Sequence, residues 1–458
     1  MIKLLALLTL LLGALCHAES NDTEHQIPPA NTIEIDPVSY LGLQGSGPDY
    51  SVADVWRTHA HLPNYEAVRA AALDTFQGLP ETFEDAYRNP CWIESDPMQP
   101  TGATTRTRAP LATAQQTALR NGTTAILSPT AQTARFLSAV SSGRRTRRAV
   151  SQAAGGASGT GTLRCLPYFQ ILGVSKCGTT DLYQRLSRHL DMIDCGYKGP
   201  HFWDESTYPD LRKKDPARAG KYDGSFGAYV RIFDKAAAHI QRHPTAITGE
   251  ASSNTFTAVY SHLRGRTTAK RVDATLADYL AEATPWARFI VLFRDPVTRY
   301  YSAYHYYRNR MQGAGTVQEF HVKVLADIAS WNSCLERFDM RHCLKVYEPQ
   351  QLVKGLYAEF MEPWLACFSS NRFLFLRNED YQTAPKPHLQ TVMSFLGLRD
   401  LSLVEWSAVI GKARANTQSG RYSKMLPESL TALQAFYRPY NQKLSDAMGG
   451  DPRWLWGY

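Results

Sequence analysis

The feature that most constrains this chain is a short glycine-containing junction between an apolar run and a helical pattern. Residues 169–174 (FQILGV) predict a buried strand, and Leu182, Leu186 and Leu190 recur at helical spacing after it. The junction at 173–180 reads GVSKCGTT. Because glycine permits tight turns and the first N–H groups of a helix lack partners within it, such a junction binds phosphate-like anions. The predicted anion-binding residues are Ser175, Lys176, Cys177, Gly178, Thr179 and Thr180.

Further apolar runs repeat this order of strand, polar segment and helix. They cover residues 246–249, 288–293 and 373–376, and each precedes a helical pattern. Alternation of this kind predicts an α/β fold, namely a P-loop-like parallel sheet flanked by helices. Ligands of such sheets bind at the carboxyl ends of the strands, which is where the junction at 173–180 lies.

The lysine of the junction is displaced from the position that nucleoside-triphosphate sites use. Those sites place lysine directly after the second glycine, whereas here Thr179 takes that place and Lys176 stands three residues earlier. The spacing of the glycines nevertheless resembles theirs. A P-loop kinase or nucleotidase is therefore an alternative, but the displaced lysine favours a related phosphate-bearing ligand.

A second anion-binding pattern follows the run at 288–293. Arg294 stands at the end of that predicted strand, Pro296 suits the first turn of a helix, and Ser302 falls two turns into it. A guanidinium fork and a hydroxyl can together hold a terminal phosphate. The alternative is that Arg294 pairs with Asp295 or with another structural carboxylate.

Together the two patterns resemble the donor-binding signatures of sulfotransferases that use 3′-phosphoadenosine 5′-phosphosulfate (PAPS). The junction at 173–180 looks like that family's 5′-phosphosulfate loop, and residues 294–302 look like its 3′-phosphate site. The likeness runs from residue 165 onward and is strongest to carbohydrate sulfotransferases of the N-acetylgalactosamine 4-sulfate 6-O-sulfotransferase type. The segments that carry it are KCGTTDLY at 176–183, GLY at 355–357, WL at 364–365, EDY at 379–381 and FYRPYN at 436–441.

The resemblance implies an enzyme that moves a sulfuryl group from PAPS to a glycan hydroxyl by in-line displacement. The implied acceptor is a galactosamine-containing glycosaminoglycan of the chondroitin or dermatan sulfate kind. The resemblance implies that Lys176 neutralises the departing oxygen, and that Arg294 and Ser302 orient the nucleotide. It places Arg421, within SGRY at 419–422, in a loop that contacts the nucleotide. No metal is expected, and the sequence has no zinc-ligand spacing.

The general base is where this sequence departs from the resemblance. Heparan-type relatives carry a Lys-Glu pair shortly before His-Phe, and that glutamate takes the acceptor proton. Here residues 198–202 read KGPHF, so Gly199 occupies the glutamate position. The candidates for the general base are therefore Glu250 first, His201 second and Glu205 third. His201 is a candidate because imidazole ordinarily titrates near neutral pH. The departure also leaves open an inactive, secreted glycan-binding homologue.

The N-terminus has the pattern of a secretory signal. A basic start precedes an apolar run at 4–15, and small residues predict cleavage after Ala18. Twelve helical residues span about 18 Å, against roughly 30 Å of bilayer hydrocarbon. Residues 1–18 are therefore predicted as a cleaved signal peptide, with a short membrane anchor as the alternative. Either form predicts entry into the secretory pathway. The resemblance implies the Golgi lumen as the destination, with secretion as the alternative.

Composition divides the remaining chain into three parts. Residues 19–100 predict an ordered N-terminal extension, and residues 163–458 predict the α/β domain. Residues 101–162 hold eight arginines, no lysine, no acidic residue and few large apolar residues, which predicts a disordered insertion. This insertion accounts for the whole formal excess charge of +8, so the charge does not predict a nucleic-acid partner. Asn21 and Asn121 lie in glycosylation acceptor patterns.

The cysteines predict two disulfides in an oxidising compartment. Cleavage after Ala18 would leave seven cysteines, and an odd number requires at least one thiol outside intramolecular disulfides. Cys334 and Cys343 stand nine residues apart and predict a local disulfide. Cys91 and Cys165 flank the insertion, so a bond between them would join its two ends.

Overall fold

The computed structural model covers the whole chain and describes most of its C-terminal two thirds. The chain divides into two units, of which the first is Met1–Glu94 with Leu163–Tyr458 and the second is Ser95–Thr162. The predicted signal peptide, most of the extension and nearly all of the insertion lie outside the described residues. The described residues are 70, 72, 76, 78–80, 82–95, 161–196, 198–204, 225–260, 274–311, 315–411, 413 and 422–458.

Strands and helices alternate along the described chain. The strands are β1 (Cys91–Ser95), β2 (Gly161–Cys165), β3 (Phe169–Gly173), β4 (Met192–Ile193), β5 (Ile247–Glu250), β6 (Arg288–Phe293) and β7 (Phe373–Arg377). The helices are α1 (Thr179–Leu186), α2 (Phe226–Arg231), α3 (Asp234–Ile240), α4 (Leu276–Ala283), α5 (Pro296–Met311), α6 (Val317–Arg337), α7 (Met340–Val346), α8 (Gln350–Val353), α9 (Tyr357–Cys367), α10 (Asn378–Thr383), α11 (Pro385–Phe395), α12 (Leu403–Ile410) and α13 (Pro427–Ala447). Short 3₁₀ helices cover Ser370–Arg372 and Pro452–Leu455.

Five strands form a parallel sheet in the order β4-β5-β3-β6-β7, which confirms the predicted α/β class. In register, Phe169 of β3 lies opposite Gly249 of β5 and Arg288 of β6. A Cβ on Gly249 would lie 2.3 Å from the Phe169 ring, so close packing of these two strands requires glycine there. The strand order reverses at β3, and such a switch point opens a crevice at the carboxyl ends of the strands.

The predicted boundaries need small corrections. Strand β5 is shifted by one residue and therefore includes Glu250, whereas β6 has the predicted bounds. Helix α1 ends at Leu186, and Leu190 is 68% exposed instead of lying on its buried face. The reason is a turn that His189 closes, because its Nδ1 accepts from the Asp191 N–H at 3.0 Å. Strand β2 begins at Gly161, two residues before the predicted boundary of the α/β domain.

Both predicted disulfides are present. Cys91–Cys165 joins β1 to β2, which pair in a separate two-stranded sheet, across 74 residues of chain. Cys334–Cys343 joins α6 to α7. The other described cysteines, Cys177, Cys195 and Cys367, keep their thiols, which agrees with the expectation from an odd count. Within the described residues, no helix is long and apolar enough to cross a membrane, and the run at 4–15 lies outside them.

Candidate active site

The junction after β3 forms a tight loop at the amino end of α1. Lys176 and Gly178 both have left-handed backbone conformations, with φ values of 72° and 92°. Glycine is required at 178, because a Cβ there would lie 2.5 Å from Oδ1 of Asn378. Gly178 is also the N-cap of α1, and no side chain caps the helix from that position. No N-cap side chain therefore occupies the N–H groups of the first turn of α1, the position at which the sequence predicts anion binding.

The second predicted site lies against this loop. Arg294 follows β6 directly, and its Nη1 donates to the carbonyl oxygen of Lys176 at 3.3 Å. Its Nε donates to Oγ1 of Thr298 at 3.1 Å, and its own carbonyl accepts from the Tyr357 hydroxyl at 2.7 Å. Asp295, the alternative partner, instead accepts from the Tyr458 hydroxyl at 2.8 Å. Among the described residues Arg294 makes no ion pair, so its charge faces the loop.

One face of α5 runs along the loop. Thr298, Ser302 and Tyr306 are spaced four residues apart, which places them on the same side of the helix. Thr298 contacts Arg294, and the centroid of the Tyr306 ring lies 3.9 Å from Nζ of Lys176. Ser302 lies between them and is buried. The helix therefore directs Ser302 toward the same loop, next to Arg294.

Helix α5 also supplies aromatic packing. Tyr300, Tyr301 and Tyr304 are buried in the core of the domain. Tyr306 and Tyr307 are only half-buried, and their rings meet edge to face at 5.1 Å. The aromatic helix therefore combines core residues with two residues at the edge of the site.

The thiol of Cys177 points away from any ligand. It is fully buried and lies 3.8 Å from the Tyr357 hydroxyl. Burial raises the pKa of this thiol to about 11, although the charges of Arg299 and Arg294 oppose the rise. The group is therefore neutral at physiological pH, and the backbone N–H of Cys177 donates to the Val174 carbonyl at 3.0 Å, so neither group of Cys177 is left for an anion.

Two buried cations that the sequence does not predict lie beneath the loop. Arg299 is fully buried, its Nη2 donates to the Gln351 carbonyl, and its Nε and Nη1 have no hydrogen-bond partner within the described chain. Lys354 is also fully buried and donates to Oδ1 of Asn254 at 2.9 Å. Burial, aided by the charge of Arg299, lowers the pKa of Lys354 to about 7. Neither residue belongs to a local pattern, so only the folded chain reveals them.

The predicted base candidates meet at the end of β5. Glu250 is fully buried, and its Oε2 accepts from the Ser252 hydroxyl at 2.6 Å. Ser252 in turn accepts from the backbone N–H of His201 at 2.9 Å. Nδ1 of His201 lies 3.0 Å from both carboxylate oxygens of Asp204, which is fully buried. The side chain of His201 itself is 22% exposed. Asp204 was not singled out by the sequence.

Two groups of this cluster titrate near neutral pH, as Lys354 does beneath the loop. Burial raises the pKa of Glu250 to about 7, with a contribution from Asp204 that the Ser252 hydrogen bond opposes. Burial lowers the pKa of Lys198 to about 8, and the nearby Glu250 charge limits the fall. Nζ of Lys198 donates to the Ala251 carbonyl at 3.1 Å. Small changes in pH therefore change the charge on this side of the crevice.

The backbone explains why glycine occupies position 199. Gly199 has a φ of +75°, and a Cβ there would lie 3.0 Å from the Ala251 carbonyl oxygen and 3.4 Å from Nε2 of His201. A glutamate at this position would be strained in this conformation. His201 also has a left-handed backbone, with a φ of 56°, and such strained residues cluster at functional sites.

Backbone contacts join the base cluster to the phosphate loop. Gly173, the last residue of β3, has no room for a Cβ because the Ser253 carbonyl oxygen would lie 2.9 Å away. The N–H of Phe256 donates to the Leu172 carbonyl at 2.9 Å. The turn after β5 is thus packed on the start of the loop, and the two candidate sites share one end of the sheet.

Two of the named candidates, Glu205 and Arg421, lie outside the described residues. The residue after Arg421 is described, since the Tyr422 ring stacks on His305 of α5 with centroids 3.9 Å apart. The Tyr301 hydroxyl also donates to the Ser423 carbonyl at 2.7 Å. The chain that follows Arg421 is therefore held on α5, next to Ser302.

Comparison with known proteins identifies the class. A family model described as "Sulfotransferase domain" matches residues 167–425, which include β3 to β7 and both candidate sites. The chain therefore belongs to the sulfotransferase family, as the two anion-binding patterns predict.

Individual carbohydrate sulfotransferases are similar to the chain over about two thirds of its length. Carbohydrate sulfotransferase 15 of Homo sapiens is 31% identical over 316 residues, covering 64% of this chain and 55% of the relative. Heparan sulfate glucosamine 3-O-sulfotransferase 3B1 of Mus musculus is 26% identical over 314 residues, covering 65% of this chain and 67% of the relative. This chain spans about half the length of carbohydrate sulfotransferase 15. A solved sulfotransferase from Alicyclobacillus acidocaldarius aligns at 22% identity and a TM-score of 0.41, covering 62% of this chain and 96% of that one.

Proposed function

We propose that this protein transfers a sulfuryl group from PAPS to a hydroxyl of a glycan. The observation that carries the proposal is the hydrogen bond from Arg294 to the Lys176 carbonyl, because it holds the two anion sites of the family side by side. The relatives that match along this region are named for action on carbohydrates. The segments that resemble the N-acetylgalactosamine 4-sulfate 6-O-sulfotransferase type favour a galactosamine-containing glycosaminoglycan as the acceptor.

The residues present fit the donor. PAPS, when bound, supplies the sulfuryl group together with a phosphate leaving group. Helix α1 offers N–H groups that no N-cap side chain occupies, and the loop's lysine extends beside them. Arg294 makes no ion pair among the described residues and so retains its charge for a phosphate. The hydroxyls of Ser175, Thr179, Thr180 and Ser302 complete the proposed donor site, with Arg421 as a further contact.

Lys176 is the residue we assign to stabilising the departing phosphate oxygen. Negative charge grows on that oxygen as the bond to sulfur breaks, so a fixed cation favours the transition state more than the ground state. The N–H groups of residues 178–180 would hold the phosphate in place while this charge develops, whereas the Cys177 N–H already donates to the Val174 carbonyl. No step in this scheme requires the Cys177 thiol, which is buried and neutral.

Among the base candidates the contacts favour His201. Its Nδ1 faces the buried Asp204 carboxylate, which leaves Nε2 as the proton-accepting nitrogen when Nδ1 carries the hydrogen. Its side chain is partly exposed, whereas Glu250 is fully buried. A base must come within hydrogen-bond distance of the acceptor hydroxyl, and exposure favours that approach. Glu250 would then act through Ser252, which holds the His201 backbone.

We place the protein in the secretory pathway, in the Golgi lumen. Two disulfides support an oxidising compartment. The N-terminal pattern of a basic start and a short apolar run supports delivery there. Localisation of the tagged full chain by microscopy, with immunoblots of the medium, distinguishes Golgi retention from secretion.

The decisive test is incubation of the full chain with ³⁵S-labelled PAPS and a panel of glycosaminoglycans, followed by disaccharide analysis. We expect label in chondroitin or dermatan sulfate disaccharides, with little in heparan sulfate. Magnesium-dependent turnover of ATP without sulfuryl transfer would instead indicate a P-loop kinase or nucleotidase. Tight binding of 3′-phosphoadenosine 5′-phosphate without transfer to any glycan would indicate an inactive glycan-binding homologue.

A further inference from the structure

We infer that Tyr306 positions the catalytic ammonium of Lys176 through the face of its ring. The Nζ atom of Lys176 lies 3.9 Å from the ring centroid, well within the distance at which a cation is attracted to an aromatic face. Tyr306 thereby joins the donor site as a positioning residue, acting on the reaction through Lys176. The inference rests on the proposed role of Lys176 in sulfuryl transfer.

The placement of Tyr306 follows from the helix that also carries Ser302. The two residues are four apart on α5, so one helix face presents a hydroxyl and, one turn later, an aromatic ring to the phosphate loop. At the other end of this face, Thr298 accepts a hydrogen bond from Arg294, which in turn bonds the backbone of Lys176. Tyr306 on α5 therefore contacts the side chain of Lys176, and Arg294, two residues before α5 begins, bonds its backbone.

An aromatic face suits a cation that must later act elsewhere. A ring face carries only partial negative charge, so it attracts an ammonium more weakly than a full anion does and does not neutralise it. Tyr306 can thus hold the long lysine side chain over the loop before the donor binds and release it to the phosphate oxygen afterwards.

The contact itself can be tested without any activity. Reductive ¹³C-methylation keeps lysine amines charged and gives each a methyl signal, and the Lys176→Arg variant assigns the one that matters. We expect the Lys176 methyl signal to be shifted upfield by the Tyr306 ring and to lose that shift in Tyr306→Leu. Addition of 3′-phosphoadenosine 5′-phosphate should move the wild-type signal toward the range of exposed lysines. An identical Lys176 signal in wild type and Tyr306→Leu would overturn the inference.

Kinetics test whether the contact matters for transfer. Tyr306→Leu should lower kcat about tenfold, within the roughly three- to thirtyfold range that corresponds to ordinary cation–π energies, while KM for PAPS changes less than threefold. Tyr306→Phe should recover most of the lost kcat because it restores the ring face. Tyr87→Leu is the matched control, since it removes a half-buried tyrosine that packs on a separate core cluster away from the loop. Equal losses in the Leu and Phe variants, or a loss confined to KM, would contradict the positioning role.

A fluorinated series separates ring charge from ring shape. Replacing Tyr306 with phenylalanines of increasing fluorine content weakens the negative ring face while keeping its size, so kcat should fall stepwise with each fluorine. A flat series would contradict the inference even if the wild type is fully active. If the wild type transfers no sulfuryl group but its Lys176 signal keeps the Tyr306-dependent shift, the proposed function fails and the contact stands.

Discussion

The two halves of the crevice are built from different chemistry. On the donor side, the charges come from Lys176 and Arg294, and the other predicted contacts are backbone N–H groups and hydroxyls of the loop and α5. On the acceptor side, Glu250 and Lys198 have pKa values of about 7 and 8. We therefore expect proton transfer to respond strongly to pH near neutrality, whereas the Arg294 contact with the donor should not. Lys354, buried beneath the loop with a pKa of about 7, is the titrating group on the donor side.

The largest effect is expected from the donor side. Lys176→Ala removes the cation assigned to the departing oxygen, so kcat for transfer should fall a hundredfold or more, on the order of 3 kcal/mol. Steady-state rates with saturating PAPS measure this. Lys386→Ala, which changes an exposed lysine on α11, is the matched control. Near-normal turnover of Lys176→Ala would contradict the assignment of Lys176 to the departing oxygen.

The acceptor side should show the next largest effect. His201→Ala should lower kcat about a hundredfold, in the range of general-base catalysis. Asp204→Asn should lower it less, because the imidazole remains while its orientation weakens. Pre-steady-state bursts and pH–rate profiles measure both variants.

Glu250→Gln distinguishes the two base candidates. If Glu250 took the proton, activity would need its carboxylate and would rise through a pH of about 7, where this group ionises, and the glutamine variant would lose that limb. Under the His201 assignment the acid limb survives in Glu250→Gln. If Glu250→Gln is inactive, or if its residual activity no longer rises with pH, the base is Glu250 and not His201.

Arg294→Ala sharpens the contrast in pH dependence. Loss of a charged hydrogen-bonding group should weaken binding of 3′-phosphoadenosine 5′-phosphate about tenfold to a hundredfold. Calorimetry should give nearly the same loss at pH 7.5 and pH 8.5, because a guanidinium group stays charged and phosphate monoesters, whose second pKa is about 6, are almost fully ionised at both values. A loss that changed tenfold between these pH values would show that the two sides of the crevice are not chemically separate.

The smallest expected effect concerns stability beneath the loop. Folded Lys354 titrates at about 7, whereas in the unfolded chain it keeps a proton up to about 10.5. Above pH 7 the unfolded state therefore binds more protons, and stability rises with pH. Between pH 7 and 8 the free energy of unfolding of the wild type should gain about 1 kcal/mol relative to Lys354→Met. Denaturant titrations at both pH values measure this, and equal changes in the two proteins would contradict the burial of an ammonium.

The sequence predicts the donor side far better than the acceptor side. Residues 173–180 and 294–302 are local patterns, so strand, turn and helix positions follow directly from spacing. Asp204, Arg299 and Lys354 matter through contacts made after folding, and no local pattern marks them. Tyr306 shows the same limit, because no local pattern predicts its contact with Lys176. Leu190 shows that a local pattern can also mislead. Its spacing continues the helical repeat, but the helix ends at Leu186 and His189 closes a turn after it.

The Cys91–Cys165 bond gives the molecule a property that a linear map of its sequence conceals. A protease that cuts anywhere between these two cysteines, for example within RRTRR at 144–148, severs the polypeptide but not the covalent molecule. Such a nicked protein would migrate as one species in gels without reductant and as two with it. Cleavage in this region can therefore alter the chain while every residue of the crevice stays attached.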